Sequence, residues 1–163
     1  MKVIDVMMGT PYYCSPDANL GVATELMWKG NCGFLPVVGE GEKVLGVVTD
    51  RDICVALATR NCLAGELAVA EVMSRSVCSC KPEDDIHMAL RTMREGHVRR
   101  LPVITKAGAL VGVISIDDVL VRAEPLTLGK IPELSSDEVV RTFRAINSWQ
   151  LPQVAAKQAA AAA

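Results

Sequence analysis

The feature that most restricts what this chain can fold into is a repeat. "GVVTDRD" at 46–52 returns as "GVISIDD" at 112–118, and the match extends without a gap over 5–54 and 71–120. "DVM" meets "EVM", "CSPD" meets "CKPE", Ala23 and Met27 meet Ala89 and Met93, and "LPVV" meets "LPVI". A solenoid needs at least three such units to bury a continuous core. Two copies can close their cores only against each other.

Each copy carries its own punctuation. Ser15 or Asn19 can cap a helix, Pro16 suits its first turn, and Asp17 suits the positive end of its dipole. Leu20, Ala23 and Met27 then recur at helical spacing, and Gly30 is placed to end the helix in a left-handed turn. The second copy repeats this with Pro82, Asp84 or Asp85, Ile86, Ala89, Met93 and Gly96. Two short β-rich runs follow in each copy, "FLPVV" with "VLGVVT" and "LPVI" with "ALVGVIS". Pro36 and Pro102 lack a ladder donor, so those strands should lie at an edge or carry an irregularity. With a strand expected at "GTPYY" and at "RSVCS", each unit reads strand, helix, strand, strand, helix.

The predicted class is therefore α/β (α+β-like): two tandem units, each a small sheet with two helices, packed about a pseudo-twofold axis. The units are assigned to 1–60 and 71–123, with a linker at 61–70. A second linker follows at 124–134, then a helix over 135–150 and a tail over 151–163. The helix opens on a Ser135-x-x-Glu138 capping box and carries an apolar stripe of Val139, Phe143 and Ile146, with Val140 and Trp149 beside it. So short a helix must dock to persist. The closing alanines are low complexity and are set aside.

Composition excludes several functions. A net charge of −2 gives no electrostatic basis for binding nucleic acid or an anionic membrane surface. No apolar run approaches the roughly 18 residues a membrane span requires, and no signal-like segment opens the chain. The expected setting is the cytoplasm, where Cys14, Cys32, Cys54, Cys62, Cys78 and Cys80 are read as reduced thiols, nearly all in apolar stretches where they pack as small hydrophobes. Cys78-x-Cys80 with His87 lacks a fourth ligand and reads as structural. No Ser/His/Asp order, paired-carboxylate cleft or Walker-type loop is present, so no catalytic site is predicted.

Spacing alone leaves the doubled motif with two readings. Thr49 with Asp52, and Ser115 with Asp118, are capping boxes that start helices. Yet Gly46 and Gly112 sit in strands, where a glycine packs nothing unless another chain or a ligand comes close. A helix start also offers N–H groups to a phosphate, and a carboxylate can accept from ribose hydroxyls. A hydroxyl that caps through its lone pair would still have a proton to give.

Across 1–123 these motifs resemble the cystathionine-β-synthase (CBS) domain in its tandem pair, the Bateman module. The resemblance rests on "DVM", "CSPDANLGVATELM", "LPVV" and "GVVTDRDI", then "EVM", "CKPEDDIHMALRTM", "VRRLPVI" and "GVISIDDVL". It implies no required cofactor and a regulatory adenosyl ligand (AMP, ADP, ATP or S-adenosylmethionine) bound between the repeats. The phosphate role would fall on Thr49 and Ser115, the ribose role on Asp52 and Asp118.

Residues just before each "LPV" strand would reach into the clefts. These are Asn31, Cys32, Gly33 and Phe34 in the first copy, and His97, Val98, Arg99 and Arg100 in the second. Arg100 can clamp a phosphate, whereas Phe34 can only pack against a base; Arg51 partly compensates, beside a repelling Asp50. The Ser115/Asp118 cleft is thus expected to be the better phosphate site. Tyr12 or Tyr13 is a candidate to stack on adenine. The resemblance further implies a homodimer, and a regulated protein that is either separate or absent, with no enzymatic activity expected on this chain. The rival expectation is a thiol- or metal-sensing or protein-interaction scaffold whose nucleotide sites have lapsed.

Overall fold

The computed structural model describes residues 1–129 and 131–148. Asn19, not Ser15, begins the first long helix, α1 (Leu20–Lys29), its side chain accepting from the N–H of Val22. Pro16 and Asp17, expected in the first turn, lie ahead of it. The cause is a competing use of this backbone: the Pro16 and Ala18 carbonyls accept from Ala70 and Val69. The second copy starts α3 (Ile86–Gly96) in the same way, with Asp85 accepting from His87 N–H. Leu20, Ala23 and Met27, and Ile86, Ala89 and Met93, form the buried faces as the periodicity predicts.

Helix termination differs from expectation by one residue. Gly30 is right-handed (φ −83°), and the left-handed positions are Asn31 (φ 45°) and His97 (φ 51°). Close approach explains the repeated glycine instead. A Cβ on Gly30 would stand 2.7 Å from the Tyr12 ring, and one on Gly96 would stand 2.6 Å from Cys78 Sγ.

After each helix comes an antiparallel hairpin: β1 (Phe34–Val38) with β2 (Val44–Thr49), and β3 (Arg100–Ile104) with β4 (Leu110–Ser115). The register shifts between Val37 and Val38 and again between Val103 and Ile104, an irregularity one residue beyond each proline. The strand expected first in each copy shrinks to one bridging residue, Cys14 beside Val37 and Cys80 beside Val103. In the first copy Pro11 and Pro16 bracket it, leaving only the Cys14 N–H and C=O to pair, with Pro36 and Val38. Helices α2 (Asp50–Arg60) and α4 (Ile116–Arg122) follow directly from β2 and β4.

The two cores exchange their opening segments. Val3 and Val6, first in the chain, are buried with Ile86, Leu101 and Val119 of the second copy. Leu67, Val69 and Met73 are buried with Leu20, Leu35 and Ile53 of the first. The stretch around 61–70 is therefore core-forming as well as connecting. Met8 bridges Val113 and Ser74 bridges Val47, each crossing segment running beside Gly112 or Gly46. The hairpin tips meet too, Val44 N–H donating to the Gly108 carbonyl at 3.1 Å.

The last described helix, α5 (Ser136–Ser148), docks on α3 and α4. Ser135 Oγ accepts from Glu138 N–H at 3.2 Å, the expected cap. Its inward stripe is Val139, Thr142 and Ile146, whereas Phe143 is 42% exposed. Thr142 takes the inner place because Arg94 donates to its hydroxyl at 3.0 Å, satisfying a fully buried polar group. Trp149 and the tail lie outside the described residues. No helix among the described residues is long and apolar enough to cross a membrane.

Candidate functional site

Both copies of the motif fold into the same closed ring of hydrogen bonds. Thr49 and Ser115 are extended (φ −117°, ψ 161° and φ −113°, ψ 160°) at the starts of α2 and α4. In the first copy, Asp52 Oδ2 accepts from Thr49 N–H at 3.0 Å and from the Thr49 hydroxyl at 2.7 Å. The same hydroxyl accepts from Asp52 N–H at 3.2 Å. In the second, Asp118 Oδ2 accepts from Ser115 N–H at 2.8 Å and its hydroxyl at 2.6 Å, with Asp118 N–H returning at 3.1 Å.

This corrects one expectation. The hydroxyl proton is not held in reserve; it is given to the carboxylate three residues on. Those bonds converge on Oδ2, so the cap ring makes no use of the other oxygen, Oδ1, of either Asp. An ionised carboxylate accepts only, so Oδ1 is suited to a donor such as a ribose hydroxyl.

The residues beside each ring follow from register. Phe34 pairs with Thr49, and Arg100 pairs with Ser115, so each flanks its hydroxyl on one face of the hairpin. Cys32 Sγ donates to the Phe34 carbonyl at 3.5 Å, and Tyr12 and Cys32 meet over Gly30. Thus Tyr12, Cys32, Phe34, Thr49 and Asp52 form one contiguous chain of contacts. In the second copy Cys78 and Val98 meet over Gly96, and Arg100, Ser115 and Asp118 continue the series. Cys78, read from sequence only as a structural thiol, is the positional counterpart of Tyr12. The 66-residue offset of the repeat is the signal that identifies it.

Arg100 has a second relation. Its Nη2 lies 4.0 Å from Asp117 Oδ2, and it borders a cleft of about 680 Å³ between α1 and α2 of the first copy. Gly33, Asp50 and Trp28 border the same cleft. Gly33 is small because Asp50 folds over it: a Cβ there would stand 2.5 Å from Asp50 Oδ2. Arg51 and Arg99 are exposed, and Arg99 contributes its carbonyl, accepting from Ile116 N–H at 2.9 Å. Tyr13 points elsewhere, lining a cleft of about 270 Å³ with Thr10, Pro11, Leu110 and Val111. Neither cleft is lined by Thr49, Asp52, Ser115 or Asp118.

The thiols divide by depth. Burial pushes Cys14 up to about 11, and burial with the nearby Asp84 carboxylate pushes Cys80 up to about 12. Both are inert core groups, whereas Cys54 on α2 is exposed, contrary to its reading as a packed thiol. Among the described residues, no three His, Cys, Asp or Glu side chains are grouped to hold a metal ion.

Comparison with known proteins places this architecture. The CBS domain-containing protein YhcV of Bacillus subtilis is 34% identical over 120 residues, covering 74% of this chain and 84% of YhcV. A homoserine O-acetyltransferase of Methanosphaera stadtmanae is 31% identical over 114 residues. The chain matches 70% of its own length there but spans only 22% of that enzyme.

Among solved structures, CBSX2 in complex with AMP is 25% identical with a TM-score of 0.65, covering 74% of this chain and 94% of that one. Hypoxic Response Protein I, with two coordinated zinc ions, is 26% identical with a TM-score of 0.69, covering 77% of this chain and 100% of that one. The CBS domain pair of MJ0100, in complex with 5-methylthioadenosine and S-adenosyl-L-methionine, is 24% identical with a TM-score of 0.67 and shares the fold. It covers 73% of this chain and 92% of that one. The CBS domain family model matches residues 3–59 and 69–124, and the chain accordingly belongs to the CBS domain family, with two CBS domains in tandem.

Proposed function

We propose that this chain is a regulatory module that binds an adenosyl ligand at its doubled motif and reports occupancy through a change in the relative arrangement of its two repeats. The observation carrying this reading is the pair of capped carboxylates, each closing its helix start through Oδ2 and leaving Oδ1 outside that ring. Asp118 would take the ribose hydroxyls, with Arg100 and the N–H groups at the start of α4 drawing a phosphate. Asp52 would do the same in the first copy, where Phe34 offers an apolar face to the base. CBSX2, which holds AMP on this fold, supports an adenine nucleotide.

Phosphate contact through Thr49 or Ser115 would require the hydroxyl to trade its bond to Asp Oδ2 for one to the ligand. That exchange loosens a helix cap at the moment of binding. A ligand shifts an equilibrium only through unequal affinity for its two states, and a cap that differs between them supplies such a difference. The reading includes a homodimer acting in the cytoplasm on a separate regulated protein, the module itself catalysing nothing.

The test is a thermal-shift panel of AMP, ADP, ATP, S-adenosylmethionine and NADH against the wild type, Asp52→Ala and Asp118→Ala. At least one adenosyl compound should raise the wild-type Tm, and the shift should shrink in one variant. No shift with any of them would leave a protein-interaction scaffold as the better account.

A further inference from the structure

His87 has no counterpart in the first copy, where Gly21 stands in its place, and α5 lies beyond the residues matched to the CBS domain. The two features meet. His87 Nδ1 lies 2.9 Å from Glu138 Oε1 on α5, and Nε2 lies 3.1 Å from the main-chain carbonyl of Glu133 in the segment leading to α5. A carbonyl only accepts, and an ionised carboxylate only accepts. Both ring nitrogens must therefore carry a proton for both bonds to exist, and only the imidazolium does so.

The surroundings are consistently acidic. From the turn before α3, Asp85 Oδ1 lies 4.0 Å from Nε2. From α5 comes the Glu138 carboxylate, and from the preceding segment Glu133, whose side chain pairs with the amino group of Met1. Neutral imidazole would have to abandon one partner: the Glu133 carbonyl or the Glu138 carboxylate would face a lone pair. Apolar anchors hold the same stretch, Leu134 and Val139 in the core. Farther along come Ile146 in the core and Arg94 on Thr142, so His87 adds the side-chain polar fastening at the N-terminal end of α5.

We infer that His87 is a pH-sensitive latch that fastens the first turn of α5 and its lead-in segment over the second repeat. Protonated, it clamps both; deprotonated, it releases one, and the first turn of α5 opens more readily while Leu134 and Val139 still hold it to the core. The form that makes both bonds is the protonated one, so the clamp belongs to acidic conditions and is weaker under alkaline ones.

Hydrogen exchange on the full chain tests this. At about pH 5.5 and about pH 8.5, on either side of the ordinary imidazole range, amide protection in 136–142 is compared after correction for intrinsic exchange. Protection should fall roughly fivefold at the higher pH, the order expected for one half-exposed charge-assisted bond. His87→Gln should abolish the pH dependence, and Glu138→Gln should reduce it. Ring nitrogen chemical shifts of His87 in the wild-type protein give a readout that survives a poorly folding variant, with both nitrogens protonated at the lower pH. Equal wild-type protection at the two pH values, a pH dependence that persists in His87→Gln, or a neutral ring at the lower pH would each overturn the latch.

Discussion

Gly46 lies directly beneath the carbonyl of Ser74: a Cβ built on the glycine would stand 2.7 Å from that oxygen. Gly112 stands in the same relation to Met8, at 2.8 Å from its carbonyl, and to Met7, at 2.7 Å from its sulfur. The first residue of the doubled motif is thus explained by the bridging segment that crosses from the other repeat, with no ligand required. It also locates the seam where the two repeats are joined.

Because that oxygen belongs to backbone, Gly46→Ala has little room to relax. The substitution should destabilise by about 1–3 kcal/mol, the usual range for overpacking. Gly112→Ala should cost less at the sulfur, which can swing, but similarly at the Met8 carbonyl. Thermal denaturation of the two variants reads both effects.

The caps themselves carry stability apart from any ligand. Ser115→Ala removes one bond donated to Asp118 and one accepted from its N–H, and should cost about 1 kcal/mol. Thr49→Ala, with the longer distances of 2.7 and 3.2 Å, should cost no more than that. Chemical denaturation without ligand measures each.

Ile146 closes the core between α5 and the second repeat at 2% exposure. Ile146→Ala should lose about 2–5 kcal/mol by transfer and cavity terms. If α5 were an ornament on the surface, the loss would be a few tenths. Guanidinium melts distinguish the two.

The buried thiols set an alkaline limit. Cys14 and Cys80 rise in the fold from the ordinary thiol value of 9.0 to about 11 and about 12, because burial disfavours the thiolate. The folded state binds these protons more tightly than the unfolded chain. Their contribution is therefore whole below pH 9 and is lost as pH rises through the folded values. Stability should fall from about pH 9 upward and fall less in Cys80→Ala compared with its own neutral-pH value. Alkylation mapped by mass should reach Cys54 first and Cys14 and Cys80 last.

Much of this was legible in the residues. The 66-residue offset announced two matched hairpins, and Thr49–Asp52 and Ser115–Asp118 announced two capped helices, because these depend on local spacing. The pairing of Phe34 with Thr49 and of Arg100 with Ser115 follows from the same hairpin pattern. What spacing could not show was long-range. Val3 and Met73 are ordinary apolar residues, and nothing near them in the chain says that each completes the other repeat's core. The replacement of Phe143 by Thr142 on the inner face of α5 depended on Arg94, 48 positions away. Asp Oδ2 closing on its own cap hydroxyl needed side-chain geometry, and it changes what the hydroxyl has left to offer.

The central claim is that the capped carboxylates bind an adenosyl ligand, and calorimetric titration of AMP tests it most directly. The account predicts saturable heat for the wild type, weaker binding by tenfold or more (about 1.4 kcal/mol) in Asp118→Ala, and no binding when Asp52→Ala is combined with it. Unchanged affinity in the folded double variant would contradict it.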